Sequence, residues 1–216
     1  GAITDDDERI NPGYMRAYVD FFDAHPEALV AGGRIIAEYP AGRPVWMSKY
    51  IEKPIANPMY FGPDVRPYPR GKIPGGGNMA FRRSEVARYG GFDPSLGRTN
   101  DRPIGGEETD FFARLVRGGV TLWYVPDAVI WHIIPPEKLT EGYFRRLCYN
   151  VGVSQRMQAC KRCRYVWALL SEAAKWGVTL LLALTMSPRK ARWLLLMRRE
   201  ISYGLLGGCS RGKSKV

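Results

Sequence analysis

Asp5, Asp6 and Asp7 stand side by side just after the apolar pair Ala2 and Ile3 and shortly before a helix start. Carboxylates this close repel one another unless a cation lies among them. A hard divalent ion such as Mg²⁺ or Mn²⁺ takes oxygen ligands and shares them with substrate phosphates, so the triplet reads as a candidate metal-diphosphate site. The simpler alternative is a solvated acidic turn. About a hundred residues on, Glu107 and Glu108 open a second helix, where the macrodipole favours ionised carboxylates. Glu108 lies one turn before Phe111 and Phe112 on the inward face, so it is the candidate for proton abstraction; Glu107 is its neighbour and rival. The structural alternative is that both only stabilise the first turn. His132 closes an apolar strand just before Pro135 and Pro136, at the kind of strand end where α/β sheets place ligand-binding groups. Gly75, Gly76, Gly77 and Asn78 form a turn whose glycines permit either a positive φ or a close approach to a ligand.

These groups need elements to position them. Asn11 and Pro12 read as an N-cap and first-turn pair, followed by Met15, Tyr18, Val19 and Phe22 at helical spacing until Pro26. Residues 28–39 read as a strand interrupted by Gly32 and Gly33. The Pro-, Tyr-, Trp- and Met-rich stretch 45–70 has no sustained period and reads as an ordered surface excursion around a cleft. A short strand at 79–81 is followed by a short helix capped by Ser84 and ending at Gly90 and Gly91. A helix over 107–117 follows, with Phe111, Phe112, Leu115 and Val116 inward and Asp110, Arg114 and Arg117 outward. Two strands, 120–125 and 128–132, complete the body. Strands and helices alternate, so the class is α/β.

Net charge is +11 over 216 residues, but it is unevenly placed. Residues 1–139 carry 17 Lys and Arg against 18 Asp and Glu, a net −1, whereas residues 140–216 carry 15 against 3, a net +12. The basic tail is therefore the part that meets an anionic surface, membrane or nucleic acid. Its segments around 144–164, 165–186 and 193–197 mix cationic residues with Trp and Leu. The uninterrupted apolar run from Trp176 to Met186 is too short to span a bilayer, and Glu172 with Lys175 breaks the longer one. An interfacial helix or re-entrant hairpin on the cytoplasmic side of a membrane is expected, with an ordinary packed helical pair as the alternative. Four cysteines, among them the single pair Cys160 and Cys163, suit a reduced compartment.

The series Asp5-Asp6-Asp7, GGGNMAFRRSEVARYGGFDPSLG at 75–97, GGEETDFFARLVRGG at 105–119 and PDAVIWH at 126–132 resembles family 2 glycosyltransferases over roughly residues 1–158. The resemblance implies a partial A-type nucleotide-diphospho-sugar transferase fold: a mixed sheet with helices on both faces, here with a C-terminal helical extension. It divides the chain into residues 1–140, the second half of a catalytic domain, and 141–216, a membrane-associating tail. The first strands and helices of such a domain, which hold the nucleobase, would lie before Gly1. By position, the resemblance makes Asp7 the direct metal ligand, with Asp5 and His132 beside it. Asp5 and Asp6 then lie near the donor, Gly76, Gly77 and Asn78 face the donor sugar and acceptor, and Glu108 takes the base position where Glu-Asp is the usual pair.

The implied activity is inverting transfer of a sugar from a nucleotide-diphospho-sugar to a glycan or lipid-linked acceptor, with Mg²⁺ or Mn²⁺ as cofactor, as in building a cell-envelope polysaccharide. Nucleic acid is not an expected partner of such an enzyme. The competing reading is a non-catalytic membrane- or nucleic-acid-binding module whose function is its basic tail. A nucleotidyltransferase is a third, disfavoured by the lack of a Lys- and Gly-rich nucleotide loop.

Overall fold

The computed structural model describes residues 1–93, 106–161 and 163–207. In chain order the elements are β1 (Ala2–Ile3), β2 (Glu8–Ile10), α1 (Tyr14–Ala24), β3 (Val30–Glu38), α2 (Lys49–Ala56), β4 (Arg66–Pro67), β5 (Met79–Phe81), α3 (Arg83–Val86), α4 (Glu107–Arg117), β6 (Leu122–Ile133), α5 (Glu141–Lys161), α6 (Tyr165–Leu184) and α7 (Pro188–Leu206). The sheet runs β1-β5-β3-β6-β2, with β4 also paired to β6. Its central pair, β3 and β6, is parallel, and the flanking pairs are antiparallel. This is the mixed α/β sheet that the sequence implies.

The chain divides into two compact units, the first built from residues 1–42, 56–93 and 107–136. Its sheet has an apolar cluster on each face, as a central parallel pair requires. One cluster gathers Tyr14, Tyr18 and Phe21 of α1 with Ala31, Ile35, Val125, Ala128 and Ile130. The other gathers Phe111, Phe112 and Leu115 of α4 with Val30, Met79, Leu122 and Tyr124. α4 has the bounds expected of it, although Val116 is 54% exposed and lies outside the stripe. On its outer side Arg114 pairs with Asp110 at 3.0 Å and donates to the carbonyls of Tyr89, Gly90 and Gly91, closing the turn where Gly90 has φ +77°.

Several local expectations shift. α1 starts at Tyr14, and its buried residues are Tyr14, Tyr18 and Phe21, while Met15 and Val19 are exposed. The reason is that Asn11 does not cap the helix. Its amide donates to Asp127 O at 3.2 Å and accepts from Val129 N at 3.3 Å, which ties the helix entry to β6. The two strands expected after α4 are one 12-residue strand, because a register shift between Gly33 and Arg34 of β3 absorbs Pro126 without ending the ladder. α3 follows Arg82 rather than a Ser84 cap. Within the stretch read as irregular, residues 49–56 are helical despite Pro54, whose missing N–H and ring disfavour a helix interior.

The second unit takes residues 43–55, 106 and 137–207. α5 and α7 approach at Gly152 and Gly204, where a Cβ on either glycine would strike the backbone of the facing helix. Phe144, Cys148, Leu194, Ile201 and Leu205 are buried, and Trp46 stacks on Trp193 with ring centroids 3.8 Å apart and planes 7° apart. α7 is thus a packed helix, contrary to the expectation that its WLLLM run lies at an interface. α6 is a single helix through Glu172. That carboxylate is only 4% exposed, accepts from Arg198 Nη1 at 3.1 Å through both oxygens and from Ser202 Oγ at 2.9 Å, and has Lys175 Nζ at 3.7 Å. Its other side leaves Trp167 71% and Leu184 84% exposed, with Leu170, Val178 and Leu181 between them. Among the described residues α6 is the one helix long and apolar enough to cross a membrane.

Candidate active site

The turn Gly75–Asn78 is a tight antiparallel bridge closed by Asn78 N donating to Gly75 O at 3.0 Å. Neither Gly76 nor Gly77 has a positive φ, so backbone conformation is not what calls for glycine here. Space is. A Cβ on Gly76 would overlap the carboxyl of Glu108, and one on Gly77 would overlap all three carboxyl atoms of Glu8. The turn therefore seats two carboxylates on consecutive residues, one from the start of α4 and one from β2.

The Glu108 seat follows from the buried stripe of α4, since Phe111 and Phe112 fix the helix rotation and leave the preceding turn facing the glycines. Glu107 begins the same helix, but among the described residues no glycine seats its carboxyl. Glu8 was not anticipated as a site residue. Burial, reinforced by the charges of Asp5 and Asp7, pushes its carboxyl up to about 7, although a hydrogen bond from Asp5 N at 3.1 Å opposes the shift. The available signal was its place directly after the aspartate triplet, two residues before Ile10 on a strand.

His132 and Asp7 meet across the β2–β6 edge, where Glu8 is paired in register with His132 and Ile133 N donates to Asp7 O at 3.0 Å. The imidazole Nδ1 lies 3.0 Å from Ala56 O. A carbonyl only accepts, so Nδ1 carries the proton and a neutral ring presents a lone pair at Nε2. That Nε2 is 3.4 Å from Asp7 Oδ2. Two electron-rich atoms so placed suit either a proton or a metal ion between them, and the Nδ1–H to carbonyl bond is the usual outer support of a histidine ligand. The donor set fits a divalent cation in this respect. It does not complete a shell: among the described residues no three His, Cys, Asp or Glu side chains are grouped to hold an ion. Asp5 thus does not join Asp7 and His132 as the third ligand expected of it. Asp5 and Asp6 are exposed at the turn leading into β2.

Asn78 also departs from expectation. Its side chain is fully buried, accepts from Tyr18 Oη at 2.6 Å and donates to Arg34 O and Ala128 O at 2.9 and 3.0 Å. Those bonds occupy it within the protein, so it is not turned toward a donor sugar. A separate cavity lined by Glu27, Tyr89, Val120 and Trp123 opens near the start of β6, at the other end of the strand from His132.

A sequence model described as Glycosyl transferase family group 2 matches residues 2–206. The chain belongs to that family. The match continues through α7, well past the motifs at 5–132, so the helical region falls within the span of the family model. A relative, the glucosyl-dolichyl phosphate glucuronosyltransferase of Haloferax volcanii, is 25% identical over 122 residues. These make up 53% of this chain and 36% of the relative, so the match spans about a third of that protein's length. For this family 2 domain, membership accounts for the order of the motifs. The geometry adds the pairing of Asp7 with His132 and the two carboxylates seated on adjacent glycines.

Proposed function

We propose that this family 2 domain carries out metal-dependent, inverting transfer of a sugar from a nucleotide-diphospho-sugar to a glycan or lipid-linked acceptor. The observation that carries the reading is the Glu108 carboxyl seated on Gly76 at the N-terminus of α4. There it can accept the proton of an acceptor hydroxyl. As the proton leaves, the hydroxyl oxygen forms a bond to the anomeric carbon from the face opposite the diphosphate. The bond from that carbon to the diphosphate oxygen breaks, and the nucleoside diphosphate departs with the electron pair. No covalent sugar-protein intermediate is required, unlike the two-carboxylate scheme of retaining glycosidases.

Asp7 and His132 would hold Mg²⁺ or Mn²⁺ together with the diphosphate oxygens, an arrangement suited to an ion that keeps few protein ligands. When bound, such an ion neutralises the charge building on the leaving group. Glu107 and the exposed Asp5 and Asp6 add negative potential beside Glu108 and Asp7. The relative is named for a glucosyl-dolichyl phosphate, and this favours a lipid-linked acceptor. The exposed apolar side of α6, with Arg164 before it and Arg189, Lys190 and Arg192 after it, suits peripheral attachment to an anionic cytoplasmic leaflet.

Glu108→Gln keeps the shape and removes the base. In the full-length protein it is expected to lower kcat by about 10²- to 10⁴-fold while donor affinity stays near that of the parent. Turnover at the parent rate would remove the assignment. The same change at Glu107 is expected to cost far less.

A further inference from the structure

The glycine turn that seats Glu108 has no side chains of its own with which to hold its place. Its position depends on Asn78, the next residue. Between Gly33 and Arg34 of β3 the pairing with β6 jumps from Val125 to Val129. The carbonyls of Arg34 and Ala128 face Asn78 there, and its Nδ2 donates to both. Gly33 N, on the same edge, donates to Asn78 O at 3.3 Å. A Cβ on Gly33 would strike Ala128 O and the Asn78 amide, so that glycine is what admits the side chain. The remaining polar atom of the amide, Oδ1, is met by Tyr18 Oη at 2.6 Å. Tyr18 is only 3% exposed, lies one turn after Tyr14, and packs edge-on against that ring at 5.2 Å. Five hydrogen bonds thus tie the Asn78 side chain and backbone to α1, β3, β6 and the turn itself.

We infer that Tyr18 and Asn78 are positioning residues for catalysis: the Tyr18–Asn78 bond braces the Gly75–Gly77 turn against α1 and so fixes where the Glu108 carboxyl stands. This rests on the proposed role of Glu108 as base. Neither residue touches substrate; both act through the glycines. A brace of this kind affects rate more than binding, since a small displacement of a reacting group lowers turnover while the donor's own contacts persist.

The test is Tyr18→Phe in the full-length protein, which removes one hydroxyl and keeps the ring. It is compared with Phe21→Leu, a change in the same helix and cluster that does not reach the turn. The expected result for Tyr18→Phe is a kcat about tenfold lower, a donor KM within about twofold of the parent and faster hydrogen exchange at the amides of Asn78 and Gly33, which donate to Gly75 O and Asn78 O. Phe21→Leu is expected to lower the thermal midpoint without the loss of kcat or the faster exchange. Equal kcat values in the two variants at matched stability, or unchanged exchange at Asn78 and Gly33, would overturn the brace. If the parent protein shows no sugar transfer at all, the proposed function fails instead, and exchange at Asn78 and Gly33 still reports on the brace.

Discussion

At the scale of single residues, Glu8 is a carboxylate of the candidate site whose surroundings oppose its charge. It lies against Gly77 with Asp5 and Asp7 nearby, and burial is the largest cause of a carboxyl raised to about 7 from an ordinary 4.5. A folded-state value above the unfolded one means that the folded protein binds the extra proton. The stabilisation is fully present below about 4.5 and is lost as pH rises through about 7. Without divalent cations, the thermal midpoint should therefore fall across that window, and Glu8→Gln should flatten the slope. An equally steep decline in the variant would assign the effect to another group. A cation bound beside Asp7 should lessen the decline, because it favours the ionised carboxyl.

At the scale of elements, one buried network ties α6 to α7. Removing the Glu172 carboxylate leaves Arg198, whose side chain is 14% exposed, without its partner, and also deprives Ser202 of an acceptor. Glu172→Ala should lower stability by about 3–5 kcal/mol, the usual cost of stranding a buried charge. Chemical denaturation measures it, and a loss under about 1 kcal/mol would mean that the helix is held chiefly by other contacts. This network also marks where sequence reading stopped short. Glu172 and Lys175 look like an interruption of an apolar run because the main partner of Glu172, Arg198, lies 26 residues away, on a helix the local pattern cannot place. α4 was legible in its bounds and in three of its four inward residues, Val116 being the exception. α1 was legible as a helix but not in rotation, because Asn11 serves β6 rather than a cap. Of the site, the aspartates, Glu108 and His132 were visible as residue types at spaced positions. The Glu8 seat and the inward turn of Asn78 were not, because both depend on which glycine faces which side chain across the sheet.

At the scale of the whole molecule, the charge is concentrated toward the C-terminus, −1 over residues 1–139 and +12 beyond. If the exposed side of α6 rests on lipid, attachment should have an apolar part indifferent to salt and an electrostatic part that is not. Binding to vesicles rich in anionic lipid should weaken at least about tenfold between roughly 50 and 500 mM salt. Equal binding to neutral vesicles at every salt concentration would rule out the electrostatic part. The sheet carries a different whole-molecule constraint. From Gly33–Val125 to Arg34–Val129, β6 advances four residues while β3 advances one, an excess of three. Three is odd, so it swaps the sides of the sheet: Val125 before the jump and Ala128 and Ile130 after it share one apolar cluster, whereas Leu122 and Tyr124 belong to the other. His132 keeps step with Ala128 and Ile130. The face that His132 takes is therefore set by its pairing with Ala37 of β3 and not by its count from Val125, so the irregular residues 126–128 carry Pro126 without turning the imidazole away from Asp7.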